Sequence, residues 1–440
     1  MDITFVNHAS VLITGKDWGI LSDPWYFGTA FHEGWSLLYE NPEAEIDDAL
    51  SQTSHIWLSH EHPDHFSVLF FKKYAARLND RAIPVIFRAT RDGRVAGFLR
   101  ANGIAVIEVR PDEAYQIGDA RLRIVPSEFY DSALLLEAEG VRIFNLNDCP
   151  VRDARELAEF RAVYGPCDVL LTQFSYAAWK GGRNNRQWRE DAAREKLDTV
   201  ALQAKVLEAK AVIPFASFVR FSHDMNGYLN DAVNLPGAVA PRAGDSVRTV
   251  VMRPMERQSV DALKQDSESL AFWDAVFAGI GDMPKTAFRA SVPLDDLQAG
   301  FRGYQARLFA ANSACMIRLL KSTGLLGAFQ PVVLRLVDLD RVVTVDITGG
   351  VFETPAAQPH ADMHSASLDL IFKTDFGFDT LTVNGCFEET SPGGFQRLAK
   401  VFALGNLNNM GIHLTPRIAL NANLILMFLG RLRKVAAKMA

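Results

Sequence analysis

IWLSHEHPDHFS, residues 56–67, holds three of the chain's ten histidines and an aspartate, all between His60 and His65. The apolar start, Ile56 to Leu58, reads as a buried strand running into a loop at a sheet edge. Across such a turn the side chains of His60 and His62 can face one point. Asp64 and His65 can face a second point nearby. Imidazole and carboxylate together suit zinc, iron or manganese.

Outward from this stretch, strands dominate the first half. DITFVNH, SVLIT and GILSD predict a three-strand meander at the N-terminus. SVLFFKKYAARL follows the histidine loop with helical spacing. PVIFRA, IAVIEV, RLRIVP, ALLLEAEG, VRIFNLND, DVLLTQF and AVIPFA continue the strand series, with a long charged helix from about Gln187 to Lys210 between the last two. Many strands with helices between the later ones predict two sheets sandwiched by helices.

From about Gly244 the pattern changes. It is mostly helical to about Leu325, and PVVLRLVDLDRVVTVDITGG and ASLDLIFKTDFGFDTLTVNGCFEE then read as strands with turns, followed by helices. The expectation is a catalytic domain over 1–243 and a smaller α+β domain over 244–440, the latter with a distant likeness to sterol-carrier folds. The second domain would serve as a substrate lid, a homodimer surface or a source of stability.

The totals narrow the class. With 440 residues the chain is too long for one ordinary core. Apolar residues make up 48% and charged residues 22%, and the net charge is -6, which argues against a nucleic-acid partner. MDITFVNHASVLITG lacks the order of a signal peptide. IALNANLILMFLG is too short for a membrane span and reads as a packed C-terminal helix. Cys149, Cys167, Cys315 and Cys386 are scattered, which fits a reducing cytoplasm.

HEHPDH resembles the signature of the metallo-β-lactamase superfamily. The resemblance implies an αββα sandwich with one or two metals at the sheet edges and further ligands at three later strand ends. In order and context, Asp148 in RIFNLNDCP takes the bridging place and His223 in VIPFASFVRFSHDMN the last place. The family's third histidine is missing, because no histidine lies between His65 and His223. Glu128 in RLRIVPSEFYDS is the one good ligand read at that point. TSHIWLSHEHPDHFS, RIFNLNDCP, DVLLTQFSYAAW and AKAVIPFASFVRFSHDMN further resemble the CMP-N-acetylneuraminate hydroxylase branch, without its Rieske iron–sulfur motifs. A glutamate at the third position also resembles the diiron β-hydroxylase of chloramphenicol biosynthesis.

The expected activity is therefore a dinuclear non-heme iron oxygenase, with His60, His62 and Glu128 on one iron, Asp64, His65 and His223 on the other, and Asp148 bridging. Asp64, Glu128 and Asp148 make the shell carboxylate-rich, which favours oxidised iron. The partners would be O2, an external electron donor and a small or carrier-bound substrate. The alternative is a zinc or manganese hydrolase of esters, lactones or phosphodiesters. Lys180, Arg183 and Arg186 in WKGGRNNRQWRE, a loop that its glycines would make mobile, are candidates for an acidic substrate group. Trp25 and Trp35 are candidates for a pocket wall. His8 and Asp23 are read as supports of the ligands rather than ligands.

Overall fold

The structure is a computed structural model and describes residues 1–90, 92–111, 113–127, 131–324 and 327–416. The chain divides into two compact units, Met1–Thr286 and Ala287–Ala440.

In the first unit, one seven-stranded sheet has the spatial order Glu256–Ser259, Asp2–Asn7, Ser10–Thr14, Gly19–Ser22, His55–Trp57, Val85–Arg88 and Val106–Val109. The N-terminal meander pairs antiparallel, and the last four strands run parallel. Its strands are apolar on both faces, and the residues alternate between two cores. Ile3, Phe5, Val11, Ile13, Ile20, Trp57 and Ile86 enter the core between the sheets. Val6, Leu12, Leu21, Ile56, Leu58, Val85 and Phe87 enter a second core. That second core also holds Ile46 and Leu50 of the helix Glu43–Ser51, Phe70, Phe71 and Leu78 of Val68–Asp80, and Leu99 of Arg94–Ala101.

The other large sheet has the order Arg248–Thr249, Ala211–Phe215, Val169–Gln173, Val141–Asn147, Ser132–Ala138, Ala120–Pro126 and Ala114–Ile117. Leu134, Leu136, Ile143, Leu170 and Ile213 of this sheet belong to one continuous hydrophobic cluster with Leu157 of the helix Ala154–Tyr164 and Val200 of Arg186–Val206. Two sheets with helices outside them form the αββα sandwich expected from the sequence. A small third sheet, Val219–Phe221, Trp35–Leu37 and Thr29–Ala30, lies in the same unit.

The sequence boundary at 243/244 falls inside the first unit. The strand Glu256–Ser259 pairs with Asp2–Phe5, and Trp273 of the helix Ser267–Ala278 is fully buried in the inter-sheet core. The division at Thr286 follows from that long-range pairing, which local patterning does not report.

The second unit is α+β. Its sheet runs Gly350–Glu353, Arg341–Asp346, Val332–Leu336, Ala361–Met363 and Phe387–Glu389, with helices including Leu294–Ala311 and Gly394–Asn409. ASLDLIFKTDFGFDTLTVN, read as strands, folds instead as the helices Ser365–Lys373 and Gly377–Asn384. Leu368, Ile371 and Phe372 recur at helical spacing and are buried, and the His364 ring caps the helix by accepting the Ala366 N–H. The C-terminal IALNANLILMFLG lies outside the described residues. Among the described residues no helix is long and apolar enough to cross a membrane.

Candidate metal centre

The site grows from strand ends. Asp2–Asn7 leads to His8, Gly19–Ser22 to Asp23, His55–Trp57 to Ser59 and His60, and Val141–Asn147 to Asp148. At three of these ends a non-glycine residue takes a left-handed conformation, with φ of 28° at His8, 36° at Asp23 and 42° at Asn147. Such strain persists only where surroundings over-determine it. Here they do: Asn147 Oδ1 accepts the Asp148 N–H at 2.7 Å, and its amide donates to the Ser132 carbonyl at 2.9 Å. A tight turn, with the His65 and Phe66 N–H groups on the His62 carbonyl, folds the histidine loop. Ser67 then caps the helix Val68–Asp80 through the Phe70 N–H.

Asp23, at its own strand end, organises the end after His55–Trp57 and the histidine loop. It accepts the Ser59 N–H at 2.8 Å, the Ser59 hydroxyl at 2.7 Å and the His65 Nδ1–H at 2.9 Å. Because Ser59 spends its proton on Asp23, its oxygen accepts from His60 Nδ1, 2.9 Å away. Both imidazoles are thereby set with Nδ1 protonated, and the Nε2 lone pairs are left for the cleft.

Those Nε2 atoms meet the other candidates. His60 Nε2 lies 2.9 Å from His62 Nδ1, 3.7 Å from Asp131 Oδ1 and 3.8 Å from Asp148 Oδ2. His65 Nε2 lies 3.5 Å from Asp64 Oδ2 and 3.7 Å from Asp148 Oδ2. The Asp148 oxygen is thus nearly equidistant from the two imidazoles. His8 Nε2 reaches Asp64 Oδ2 at 3.3 Å. Three groups of ligand atoms result: His8, Asp64 and His65; His60, His65 and Asp148; and His60, His62 and Asp131.

Whether these residues suit a cation can be read from their unmet needs. His8 Nδ1, Asp64 Oδ1, His65 Nε2, Asp131 Oδ1 and Asp148 Oδ1 are buried without a hydrogen-bond partner among the described residues. At about 1–3 kcal/mol for each such atom, the five together cost on the order of 10 kcal/mol, as much as a whole domain's stability. The charges tell the same story. Burial works to lower the His65 pKa, but Asp64, Asp148 and Asp23 outweigh it and lift it to about 10. Burial and then the Asp148 carboxylate push Asp131 up. Burial, with help from His65, holds His60 well below the usual imidazole value, and burial holds His8 down. Asp64 is lowered despite its burial, by His65 and His8. Protons stand where positive charge is missing, and a divalent ion would supply it. The donor set of imidazole and carboxylate fits zinc, iron or manganese.

Asp131 was not found in the sequence, where Glu128 was read as the one good ligand between His65 and Asp148. Asp131 is a second one, and it joins His60 and His62. It sits three residues past Glu128, just before the strand Ser132–Ala138, and the only sequence signal was a carboxylate at a strand start. Glu128 itself lies outside the described residues. Its flanks are tied by a 2.8 Å hydrogen bond from the Ser127 N–H to the Asp131 carbonyl. His223 is buried beyond the strand Val219–Phe221, its Nδ1 accepting the Met225 N–H at 3.1 Å, and belongs to none of the three groups.

The remaining candidates divide. Trp25 is buried edge-on to His8, with ring centres 5.7 Å apart. Trp35 is buried against Phe31, which itself meets the His62 ring at 5.8 Å. Arg186 points away into an exposed pair with Glu190, and Arg183 lies over the Tyr228 ring at 4.7 Å. Their loop is pinned rather than mobile. Fully buried Arg189 donates to the Gly181 and Gly182 carbonyls and grips Asp231 with two 2.7 Å bonds.

Residues 2–180 match the family described as the β-lactamase superfamily domain. The chain is 28% identical over 251 residues to the inactive cytidine monophosphate-N-acetylneuraminic acid hydroxylase of Homo sapiens, covering 52% of this chain and 48% of that one. To the cytidine monophosphate-N-acetylneuraminic acid hydroxylase of Macaca mulatta it is 29% identical over 251 residues, covering 52% of this chain and 40% of that one. The chain thus spans less than half the length of these curated relatives. Among solved structures it is similar to CmlA, a diiron β-hydroxylase from Streptomyces venezuelae, at 16% identity and a TM-score of 0.42, covering 58% of this chain and 53% of that one. It is also similar to an isothiocyanate hydrolase from Delia radicum gut bacteria, at 11% identity and a TM-score of 0.41, covering 59% and 99%. The superfamily resemblance carried by HEHPDH agrees with the family match over residues 2–180, and the likeness to the hydroxylase branch agrees with the two hydroxylase relatives.

Proposed function

We propose that the first unit is a dinuclear iron oxygenase that hydroxylates or N-oxygenates a small or carrier-bound metabolite. The supporting observation is the buried imidazole–carboxylate cluster, on a chain whose curated relatives are named hydroxylases. His60, His62 and Asp131 would hold one ion, and Asp64 and His65 the other, with Asp148 between them. The sequence expectation would add Glu128 to the first ion and His223 to the second. Bound there, an iron pair supplies the electron exchange with O2 that hydroxylation needs, with electrons from an external donor.

The chain's own residues do the rest. Asp23 and Ser59 fix the His60 and His65 tautomers. His8 holds Asp64 through Nε2–H. Trp25, Phe31 and Trp35 keep water from one side of the ligands. Four carboxylates, Asp23, Asp64, Asp131 and Asp148, sit in or directly behind the cluster, and this excess of hard oxygen favours iron. The superfamily's name fits a second reading, a hydrolase, here with zinc or manganese in the same cluster. O2 uptake by the iron-loaded chain with a chemical reductant, against the zinc-loaded chain, separates them. Reductant-dependent uptake that Asp148→Asn abolishes supports the oxygenase. Ester or phosphodiester turnover by the zinc form, with no uptake by the iron form, overturns it.

A further inference from the structure

Three consecutive residues, Phe31, His32 and Glu33, hold left-handed backbone, with φ of 50°, 54° and 62°. Residues other than glycine visit this region singly rather than in runs, because Cβ crowds the following carbonyl. The run lies in the loop between the paired strands Thr29–Ala30 and Trp35–Leu37, and the Gly34 N–H closes it on the Phe31 carbonyl at 3.1 Å. A turn strained in this way persists where its surroundings fix it. The Thr286 hydroxyl donates to the Glu33 carbonyl at 2.5 Å. The Gly34 carbonyl accepts the Ser222 N–H at 3.0 Å and the Asn226 amide at 2.8 Å. The segment from Ser222 to Asn226, which carries His223, therefore braces the turn.

What the turn carries is a ring. Phe31 is the first residue of the run and is buried. It packs edge-on against Trp35, with ring centres 4.6 Å apart, and against the His62 imidazole at 5.8 Å. His62 depends on such a contact more than its neighbours do. His60 and His65 have their Nδ1 atoms tied to Ser59 and Asp23. His62 turns Nδ1 toward His60 Nε2, and among the described residues no carboxylate, hydroxyl or carbonyl hydrogen-bonds its Nε2. His62 is also the least buried member of its ligand group. A metal-binding imidazole is ordinarily oriented by a hydrogen bond at its second nitrogen. At His62 an aromatic edge contact stands in that place.

We propose that Phe31 is the positioning residue of His62, and that the left-handed turn at residues 31–33 is the clamp that keeps its ring on that imidazole. The role rests on the reading that the cluster holds metal, and not on which metal it is or which reaction follows. An imidazole already held in place loses less freedom when the ion binds. The ion on the His60 and His62 side therefore gains affinity from Phe31 that the ion at Asp64 and His65 does not.

The test is chelator competition for cobalt(II) on the full chain, read by the visible bands of each ion, with the melting temperature of the metal-free chain alongside. His62→Ala identifies the bands of the ion on its side. Phe31→Leu keeps the apolar bulk and removes the ring. It is expected to weaken that ion about 3- to 10-fold, the worth of one aromatic pair, and to shift its bands. The other ion stays within about twofold. Phe31→Tyr keeps the wild-type affinity. Thr286→Val, which releases the Glu33 carbonyl and alters neither ring, weakens the same ion in the same direction. If Phe31→Leu does not fold, Thr286→Val decides alone. Unchanged affinity and bands on the His62 side, or equal weakening of both ions, overturns the positioning role and leaves the metal reading standing. A wild-type chain that binds no cobalt overturns the metal reading, and the role falls with it.

Discussion

Asp23→Asn is the substitution that isolates the support of the ligands from the ligands themselves. Asparagine tolerates the left-handed backbone at this position, where φ is 36°. Its amide oxygen can still accept the Ser59 N–H, now 2.8 Å from Oδ1. Its NH2 group then takes the place of Oδ2, which accepts from the Ser59 hydroxyl at 2.7 Å and His65 Nδ1 at 2.9 Å. Donor would face donor. His65 escapes by moving its proton to Nε2, the atom that lies 3.5 Å from Asp64 and 3.7 Å from Asp148. That proton must leave before the nitrogen can bind a metal. The expected loss of metal affinity is about 10–100-fold, or about 1.4–2.7 kcal/mol. The metal-free fold should change little, because the shape of the side chain is kept. Competition of a chelator for cobalt(II), with the metal-free melting temperature as control, reads both. Affinity within about twofold of the wild type would refute the tautomer argument.

Asp131→Asn tests the ligand that the sequence did not reveal. Elemental analysis is expected to show about one metal fewer per chain, on the His60 and His62 side, while Asp64 and His65 keep theirs. Full occupancy would return Asp131 to a supporting role. In the second unit, burial raises the Asp379 pKa to about 6 against the pull of Asn409 and Asn406. The folded state therefore holds this proton more tightly than the unfolded chain does. Stability from it is complete below about pH 4 and is lost as pH rises through about 6, at a cost of about 1–2 kcal/mol once partial exposure is allowed for. Asp379→Asn should flatten that part of the profile in chemical denaturation, and an unchanged profile would count against it.

What could be read in advance follows physical range. The meander and the histidine loop were legible because their signals are local: period-2 alternation in Asp2–Asn7 and Ser10–Thr14, and ligands spaced along one turn. Asp131 was not, because a carboxylate at a strand start carries no spacing, and only folding brings it 3.7 Å from His60 Nε2. The domain boundary failed for a similar reason. Asp2 pairs with Ser259 across nearly the whole first unit. Ser365–Lys373 was misread because Leu368, Leu370 and Phe372 alternate as a strand would, while Leu368, Ile371 and Phe372 repeat as a helix does. In the WKGGRNNRQWRE stretch the partner of Arg186 was local, Glu190 at i,i+4 spacing on the helix, whereas Tyr228, whose ring takes Arg183, lies far along the chain.

The central claim is that the His60–Asp148 cluster holds a pair of iron ions. The measurement that tests it most directly is elemental analysis of the full chain purified from iron-replete medium. The account predicts about two irons per chain and little zinc, with the ion on the His60 and His62 side lost in His60→Ala. Stoichiometric zinc with no iron in the native protein would contradict it.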